Sequence, residues 1–518
     1  MADYGATAND NSDDVVSIQQ AINKATSGDK VFIPDGVYNI SRSLRLKTGI
    51  HLTGQSQSNA IIQFSGQITY SMLSLSDVSN VEITSLTLDG NSHDVANAIF
   101  AEKGSGHKLH QLTIKNLVHE GFGPHGILFS GNTNWKDAVT HSEISDNTFS
   151  NIGLNSQWGA AIRLANGSSH NQVLTNTITE TGRGGILANQ GSTDLVIREN
   201  HISGIGKAAE GLSIEVHTEC NRAIIEDNIV DHWISLDKTN YSAIRRNKIT
   251  TDKSSDWKYA ALELAGGTNN IFTDNLVDGG TKTGISISIN YPKEYIFWGR
   301  NTIKHAADWG AQLQGESQGL SYHYFYHNTF SDTYRNHPQS SYPDQGHGFR
   351  VNGNSHHITL EQNTINNNQG AGIEFNGSDI DQFTFINNKI MGNKQAAITP
   401  YPGKELQWSD NIVSNNGGDA APASTGFDNK MIPVADFSSD ATVKMNTPIQ
   451  FINSSVPKDS AGSIAHVLWD FDDGLPSNEN APTFTYTKPG TYRVTLIVWD
   501  NNGRAARKEK VIRVTPLI

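Results

Sequence analysis

One short phrase recurs along the chain: asparagine, any residue, then an aliphatic or aromatic residue. It reads "DNTF" at Asn147, "TNTI" at Asn176, "ENHI" at Asn200, "DNIV" at Asn228 and "RNKI" at Asn247. It continues as "DNLV" at Asn275, "RNTI" at Asn301, "HNTF" at Asn328, "QNTI" at Asn363, "NNKI" at Asn388 and "DNIV" at Asn411. Successive asparagines mostly stand 23 to 29 residues apart. A period of that length makes each unit one turn of a stacked array, because such a unit cannot bury its apolar face alone.

Each asparagine closes a short alternating strand, such as "HHITLEQN" or "TDLVIREN". A second alternating strand opens the next unit: "GILFSG", "AIRLAN", "GLSIEV", "ALELAG", "GISISI", "GFRVNG", "GIEFNG". Period-two alternation gives every strand one core face and one solvent face. Asparagine tolerates a left-handed turn conformation, and stacked asparagines can hydrogen-bond along the column. The pattern predicts an all-β chain whose larger part is a parallel β-helix. Ahead of it, "NSDDVVSIQQAINKA" predicts a short amphipathic helix with Asp13 and Asp14 at its start and Val15, Ile18, Ile22 and Ala25 on one face. Such a helix would cover the open end of the stack. A hydrophobic content of only 36% with 47 glycines suits many short strands joined by polar turns.

The segment "YGATANDNSDDVVSIQQAINKATSGDKVFIPDGVY" resembles the opening of the pectate-lyase-like superfamily of right-handed β-helix carbohydrate enzymes, which includes lyases, mannuronan epimerases and glycoside hydrolases. The resemblance covers about the first four hundred residues at the level of architecture and implies a right-handed helix with a polysaccharide as partner. Linker composition follows in "NNGGDAAPASTGFDNKM", and then "WDFDDG", "PTFTYTKPGTYRVTLIV" and "WDNNG" resemble a PKD domain, a small immunoglobulin-like β-sandwich. The expected organisation is a catalytic β-helix over 1–418, a linker over 419–432 and a PKD domain over 433–518. PKD modules commonly accompany secreted bacterial polysaccharide-degrading enzymes, so an extracellular monomer is expected. The abrupt start "MADYGATAND" reads as trimmed of any leader.

A net charge of −13 without a basic stripe argues against nucleic acid, and no apolar run is long enough to insert in a membrane. The single cysteine, Cys220, excludes an internal disulfide framework.

In the opening strands, taking Leu212/Ile214, Ile234/Leu236, Leu262/Leu264 and their equivalents as inward leaves two outward columns. The first runs Arg163, Leu187, Ser213, Ser235, Glu263, Ser286, Gln312, Arg350, Glu374. The second runs Ala165, Asn189, Glu215, Asp237, Ala265, Ser288, Gln314, Asn352, Asn376. This phase stacks Glu215 on Asp237 about 4.8 Å apart at Cα, with Glu263 about 8 Å from Asp237. Adjacent carboxylates repel, and separated carboxyl pKa values are what an acid/base pair needs. Glu215, Asp237 and Glu263 are therefore the expected catalytic groups of a glycoside hydrolase, retaining at roughly 5–5.5 Å between carboxyls and inverting at roughly 6.5–9.5 Å. No cofactor is required; Ca²⁺ binding is the alternative use of the patch. His217, Asn189, Gln312, Arg163, Arg350, Glu374 and His125, the last bordering the cleft, are expected to bind substrate, with Trp233, Trp257 and Trp309 as stacking faces and Arg350 open to pairing with Glu374. The segment "DTYRNHPQSSYPDQGH" is expected to overhang this face as a loop.

Two rival readings remain. A polyuronate lyase or C5-epimerase would need a base such as Lys238, in "DKTNYSAIRRN", or His125, in "GFGPHGI". The latter resembles the Asp-Pro-His motif of mannuronan epimerases but has Gly123 in place of the aspartate. A non-catalytic glycan-binding adhesin is the other.

Overall fold

The computed structural model describes residues 1–209, 211–251, 260–279, 283–288, 291–315, 319–334, 345–426 and 431–517. The chain divides into two compact units, Met1–Asp237 with Asn247–Thr251, and Lys238–Arg246 with Asp252–Ile518. Both are built on right-handed parallel β-helix coils.

The first unit opens with the expected helix, Val15–Lys24, which buries Val15, Ile18, Ala21 and Ile22. Asp14 at its N-terminus is buried and accepts from the Thr7 and Asn39 backbone N–H groups at 3.0 and 3.2 Å, which ties the helix to the first coil. The strands that open successive coils are His125–Ser130, Ala160–Leu164, Gly184–Asn189, Leu212–His217 and Trp233–Asp237, each paired in parallel with the next. In the second unit the same role falls to Ala260–Leu264, Thr283–Ile287, Trp309–Gln314, His347–Asn352 and Ile373–Asn376.

The recurring asparagines form ladders. Asn147, Asn176, Asn200, Asn228 and Asn247 are buried in the first unit, and each Nδ2 donates to the next Oδ1 at 2.9–3.0 Å. The second unit carries Asn275, Asn301, Asn328, Asn363, Asn388 and Asn411 in the same way at 2.8–3.0 Å. The left-handed conformation, however, belongs to the residue before each asparagine: Asp146 (φ 55°), Glu199 (φ 58°) and Arg300 (φ 58°) are examples. That turn aims the following asparagine inward, where its amide satisfies backbone groups that the corner leaves without a strand partner.

In the PKD domain, Thr442–Lys444, Ile464–Asp470, Gly490–Asp500 and Ala505–Thr515 form one sheet. One face packs Trp469, Val494, Leu496 and Val498 against Phe437 and Phe451 of the sandwich. The other packs Leu468, Ile497, Trp499 and Ala505 against Ala243, Ile271, Phe297 and Tyr324 of the β-helix coils in the same unit. Burial on both faces explains the continuous apolar run "VTLIVW" in a domain whose strands otherwise alternate. At the centre of this contact, Arg245 Nη2 and Asp470 Oδ1 lie 2.8 Å apart with both side chains wholly buried. Around them Arg300 bridges Asp274 and Glu509 at 2.9 and 3.4 Å, and Arg507 meets Glu361 at 3.2 Å.

Candidate active-site face

Within the first unit Arg163 pairs with Leu187 as expected, and within the second Glu263, Ser286, Gln312, Arg350 and Glu374 follow one another as expected; the Leu212–His217 strand is the exception. In the Leu212–His217 strand the register pairs Glu215 with Leu187 on one side and Ser235 on the other, while His217 pairs with Asn189 and Asp237. The stacked Glu215–Asp237 carboxylate pair is therefore absent. The strand is irregular between Leu212 and Ile214, and Leu212 joins an outward apolar cluster with Ala160, Leu187 and Trp233. Ile214 and Val216, both fully buried, take the inward places. The register with the preceding strand is unbroken from Gly184–Leu212 to Asn189–His217, so Glu215 stays outward but one column over, and the one-residue bulge falls on the side of Trp233.

The consequence is electrostatic. His217 Nε2 lies 2.9 Å from Asp237 Oδ2, and His217 Nδ1 lies 2.6 Å from the Thr218 hydroxyl. Asp237 thus faces an imidazole, and Glu215 lies in the field of Arg163 two coils back. Each carboxylate has a basic neighbour where a like-charged one was expected. Burial pulls the Arg163 guanidinium down to about 10, opposed by Glu215, which still leaves it cationic at neutral pH. His125 is fully buried, with Nδ1 3.1 Å from Asn97 Oδ1, and burial holds its pKa well below the ordinary histidine range, with the Arg163 charge adding to the effect. A fully buried imidazole is not the cleft-bordering group expected from "GFGPHGI".

Trp233 is also a correction: it is 9% exposed and fills the apolar cluster, leaving no broad free face. In the second unit Glu263, Ser286, Gln312, Arg350 and Glu374 form one column. Trp309 and Gln312 are buried, and the Arg350 guanidinium covers the Trp309 ring at 4.8 Å. Arg350 Nε meets Glu374 Oε2 at 3.0 Å, and His347 Nε2 lies 3.6 Å from the same oxygen. That pairing is the one anticipated between adjacent coils, and it turns these groups toward each other. Lys238 takes a left-handed turn conformation and sets its ammonium 3.9 Å above the Tyr291 ring. Trp257 and residues 335–344 of the expected overhanging loop lie outside the described residues. Among the described residues no group of three or more His, Cys, Asp or Glu is placed to hold a metal ion.

Sequence reasoning passed over Phe122, Trp158 and Arg183. They stand in or beside coil-joining segments without strand periodicity; an aromatic residue set between polar and glycine residues in "GFG" and "NSQWG" was the only signal.

Coils of this kind define a class, and the chain belongs to it: the family described as right handed beta helix region matches residues 71–233 and 232–417. Residues 1–79 match the family described as Rhamnogalacturonase A/epimerase, pectate lyase-like, and residues 430–515 match the PKD domain. A curated relative, the pre-pro-metalloprotease PrtV of Vibrio cholerae, is 41% identical over 66 residues, covering 13% of this chain. The chain spans only 7% of that protein's length. Among solved structures, the N-terminal fragment of gene product 12 of bacteriophage Phi29 is 14% identical with a TM-score of 0.52, over 82% of this chain and 73% of that one, and shares the fold. The mannuronan C-5 epimerase AlgE6 A-module of Azotobacter vinelandii is 16% identical with a TM-score of 0.48, over 82% of this chain and 99% of that one. Among the described residues no helix is long and apolar enough to cross a membrane.

Proposed function

We propose that the chain is a secreted enzyme that acts on an acidic polysaccharide by removing the proton beside a uronate carboxylate, as a lyase or a C5-epimerase, rather than by hydrolysis. The observation that carries this reading is the His217–Asp237 pair on the outward face, with the imidazole partly open to solvent. The match of residues 1–79 to the family described as Rhamnogalacturonase A/epimerase, pectate lyase-like, supports a polysaccharide substrate and does not by itself choose the reaction.

Asp237 accepts the Nε2 proton and so orients the ring with its lone pair on Nδ1, beside the Thr218 hydroxyl. A substrate C5–H presented there gives its proton to the Thr218 hydroxyl as that hydroxyl passes its own to Nδ1, and the resulting imidazolium is stabilised by Asp237. The electron pair left on C5 is delocalised into the uronate carboxylate, toward which Asn189, the register neighbour of His217, offers its side-chain amide. Elimination of the C4 oxygen, which leaves with the proton held by the imidazolium, completes a lyase reaction, while return of a proton from water to the opposite face, with loss of the imidazolium proton to solvent, completes an epimerisation. No cofactor enters either route. A hydrolase would instead use Glu215, Asp237 and Glu263, but the like-charge contact that motivated that assignment is missing from the Glu215 coil.

The test is turnover of a polyuronate panel in D₂O, reading reducing ends, the ultraviolet absorbance of unsaturated uronate and deuterium at C5. Wild type is expected to yield absorbance or deuterium, and His217→Ala to lose roughly 10²–10⁴-fold in rate. Asp237→Asn is expected to lower the rate and move its pH profile. New reducing ends with neither absorbance nor deuterium would return the chain to the hydrolases, and binding without any product would make it an adhesin.

A further inference from the structure

A second feature of the first unit lies beside the outward face, around two coil-joining segments. Phe122 and Trp158 are 53% and 39% exposed, and their ring centroids are 5.5 Å apart. Large aromatic side chains held together in water mark a binding surface more often than a packing accident. Each has a guanidinium against it: Arg163 Cζ lies 4.8 Å from the Phe122 centroid, and Arg183 Cζ lies 5.9 Å from that of Trp158. Trp158 also forms part of the wall of a cleft of about 880 Å³, shared with the amides of Asn151, Asn155 and Gln157. That volume suits a small ligand.

The buried guanidinium beneath this platform points to an anionic ligand. Arg163 is only 5% exposed, and its Nε has no hydrogen-bond partner. His125, fully buried with its ring 5.2 Å from Phe122, turns its Nδ1–H to Asn97 Oδ1 and so leaves a lone pair, not a proton, on its unpartnered Nε2. A buried N–H group without an acceptor, as at Arg163 Nε, is rare because it costs desolvation free energy. Acidic groups nearby leave the Arg163 Nε donor unmatched: Asp94 is engaged by His119 at 2.6 Å, Glu120 is exposed on the cleft wall, and Glu215 acts on Arg163 from two coils away. In a chain of net charge −13, two guanidiniums beside exposed aromatic faces are a local positive site that complements a carboxylate on an apolar ring.

We infer that Phe122, Trp158, Arg163 and Arg183 form a binding subsite for an acidic sugar unit, with the sugar's apolar face on the aromatic rings and its carboxylate toward the guanidiniums. Arg163 stands two coils from the strand of His217, roughly 10 Å along the stack, so the subsite holds a neighbouring unit of the same polymer rather than the reacting one. The choice of an acidic polymer rests on the function proposed above; the subsite itself is a matter of binding.

Calorimetry on the full chain, with a short oligouronate and its carboxyl-reduced counterpart as probes, tests the subsite. Wild type is expected to prefer the acidic oligomer. Phe122→Ala/Trp158→Ala is expected to weaken its binding at least tenfold, and Arg183→Gln to lower the preference for acid over reduced oligomer. Phe122→Tyr/Trp158→Phe, which keeps the rings, should restore binding, and matched melting curves separate lost contacts from lost fold. Equal binding of both oligomers by wild type, no binding of either, or unchanged affinity in the double alanine variant would overturn the subsite. Turnover of the same variants in D₂O keeps the two readings apart. Turnover with unchanged KM in the alanine variant removes the subsite and leaves the reaction, whereas ring-dependent acidic binding without product from any polymer keeps the subsite and removes the reaction.

Discussion

Glu374 shows how a residue chosen for chemistry can be held by structure. Its Oε2 lies 3.0 Å from Arg350 Nε and 3.6 Å from His347 Nε2, while Arg350 Cζ lies over the Trp309 ring, 4.8 Å from its centroid. The Arg350 and Glu374 side chains are 11% and 14% exposed, so solvent replaces little of the pair when one member is cut away. Glu374→Ala is expected to cost about 3 kcal/mol, and Arg350→Met/Glu374→Leu to recover most of it, because a buried pair is worth little net while a broken one strands a charge. Urea midpoints of the three proteins decide this; a double variant as unstable as the single would remove the pair as the cause. This contact was legible in the sequence because Arg350 and Glu374 occupy equivalent places in adjacent coils. The Glu215 position was not, because alternation alone cannot distinguish Leu212 as the first inward residue from Leu212 as an outward one drawn into an apolar cluster with Trp233. Parity survived the bulge and column assignment did not.

At the scale of the coil, the asparagine ladder is what makes the phrase repeat. Asn301 shows the wiring: its Nδ2 donates to Phe272 O and to Asn328 Oδ1, both at 2.9 Å, and its Oδ1 accepts from Asn275 N and Nδ2 at 3.1 and 2.9 Å. Asn301→Ala removes all four bonds and takes the acceptor from two donors of Asn275 and the side-chain donor from Phe272 O, while Asn328 Oδ1 keeps only the Asn301 backbone N–H. The expected loss is about 2–4 kcal/mol, more than one hydrogen bond is worth, because unsatisfied buried groups dominate it. Asn301→Asp should fare little better, since the Nδ2 donor becomes an acceptor facing two others. Melting temperatures would check both; an alanine variant within a degree or two of wild type would mean that the ladder reports the fold without stabilising it. The phrase also made the coil legible while hiding its turn: the strained φ falls on residues as varied as Asp146, Thr175 and Arg300, which share no chemistry that a sequence could display.

At the scale of the molecule, the PKD sandwich is fused to β-helix coils rather than tethered to them, and the join depends on groups that the sequence presents as ordinary. Arg245 reads as one basic residue in "AIRRN", yet it is wholly buried against Asp470. The same burial fixes a pH dependence. His323, fully buried among the coils of this unit, accepts from Trp298 Nε1 on Nδ1 at 3.2 Å and directs Nε2 to the Lys293 carbonyl at 3.3 Å. A proton on Nδ1 would meet the indole N–H head on, and burial pushes the imidazole down to about 3. The unfolded histidine titrates near 6.5, so between pH 6.5 and about 3 the unfolded chain holds a proton that the folded chain does not. Stability supplied by neutral His323 is complete above pH 6.5 and falls by about 1.4 kcal/mol for each pH unit below it. His357 and His466, where the sandwich meets the coils, are also lowered by burial, to about 4, and act in the same direction. Wild type should therefore lose stability steeply from pH 6.5 to 4, and His323→Gln, which keeps an acceptor for Trp298 and a donor for Lys293 without a titrating group, should lose it less steeply even if it starts lower. Denaturant midpoints at half-unit pH steps give both slopes. Parallel lines would mean that His323 takes up its proton without unfolding, and that the Trp298–His323–Lys293 chain rearranges to accept it.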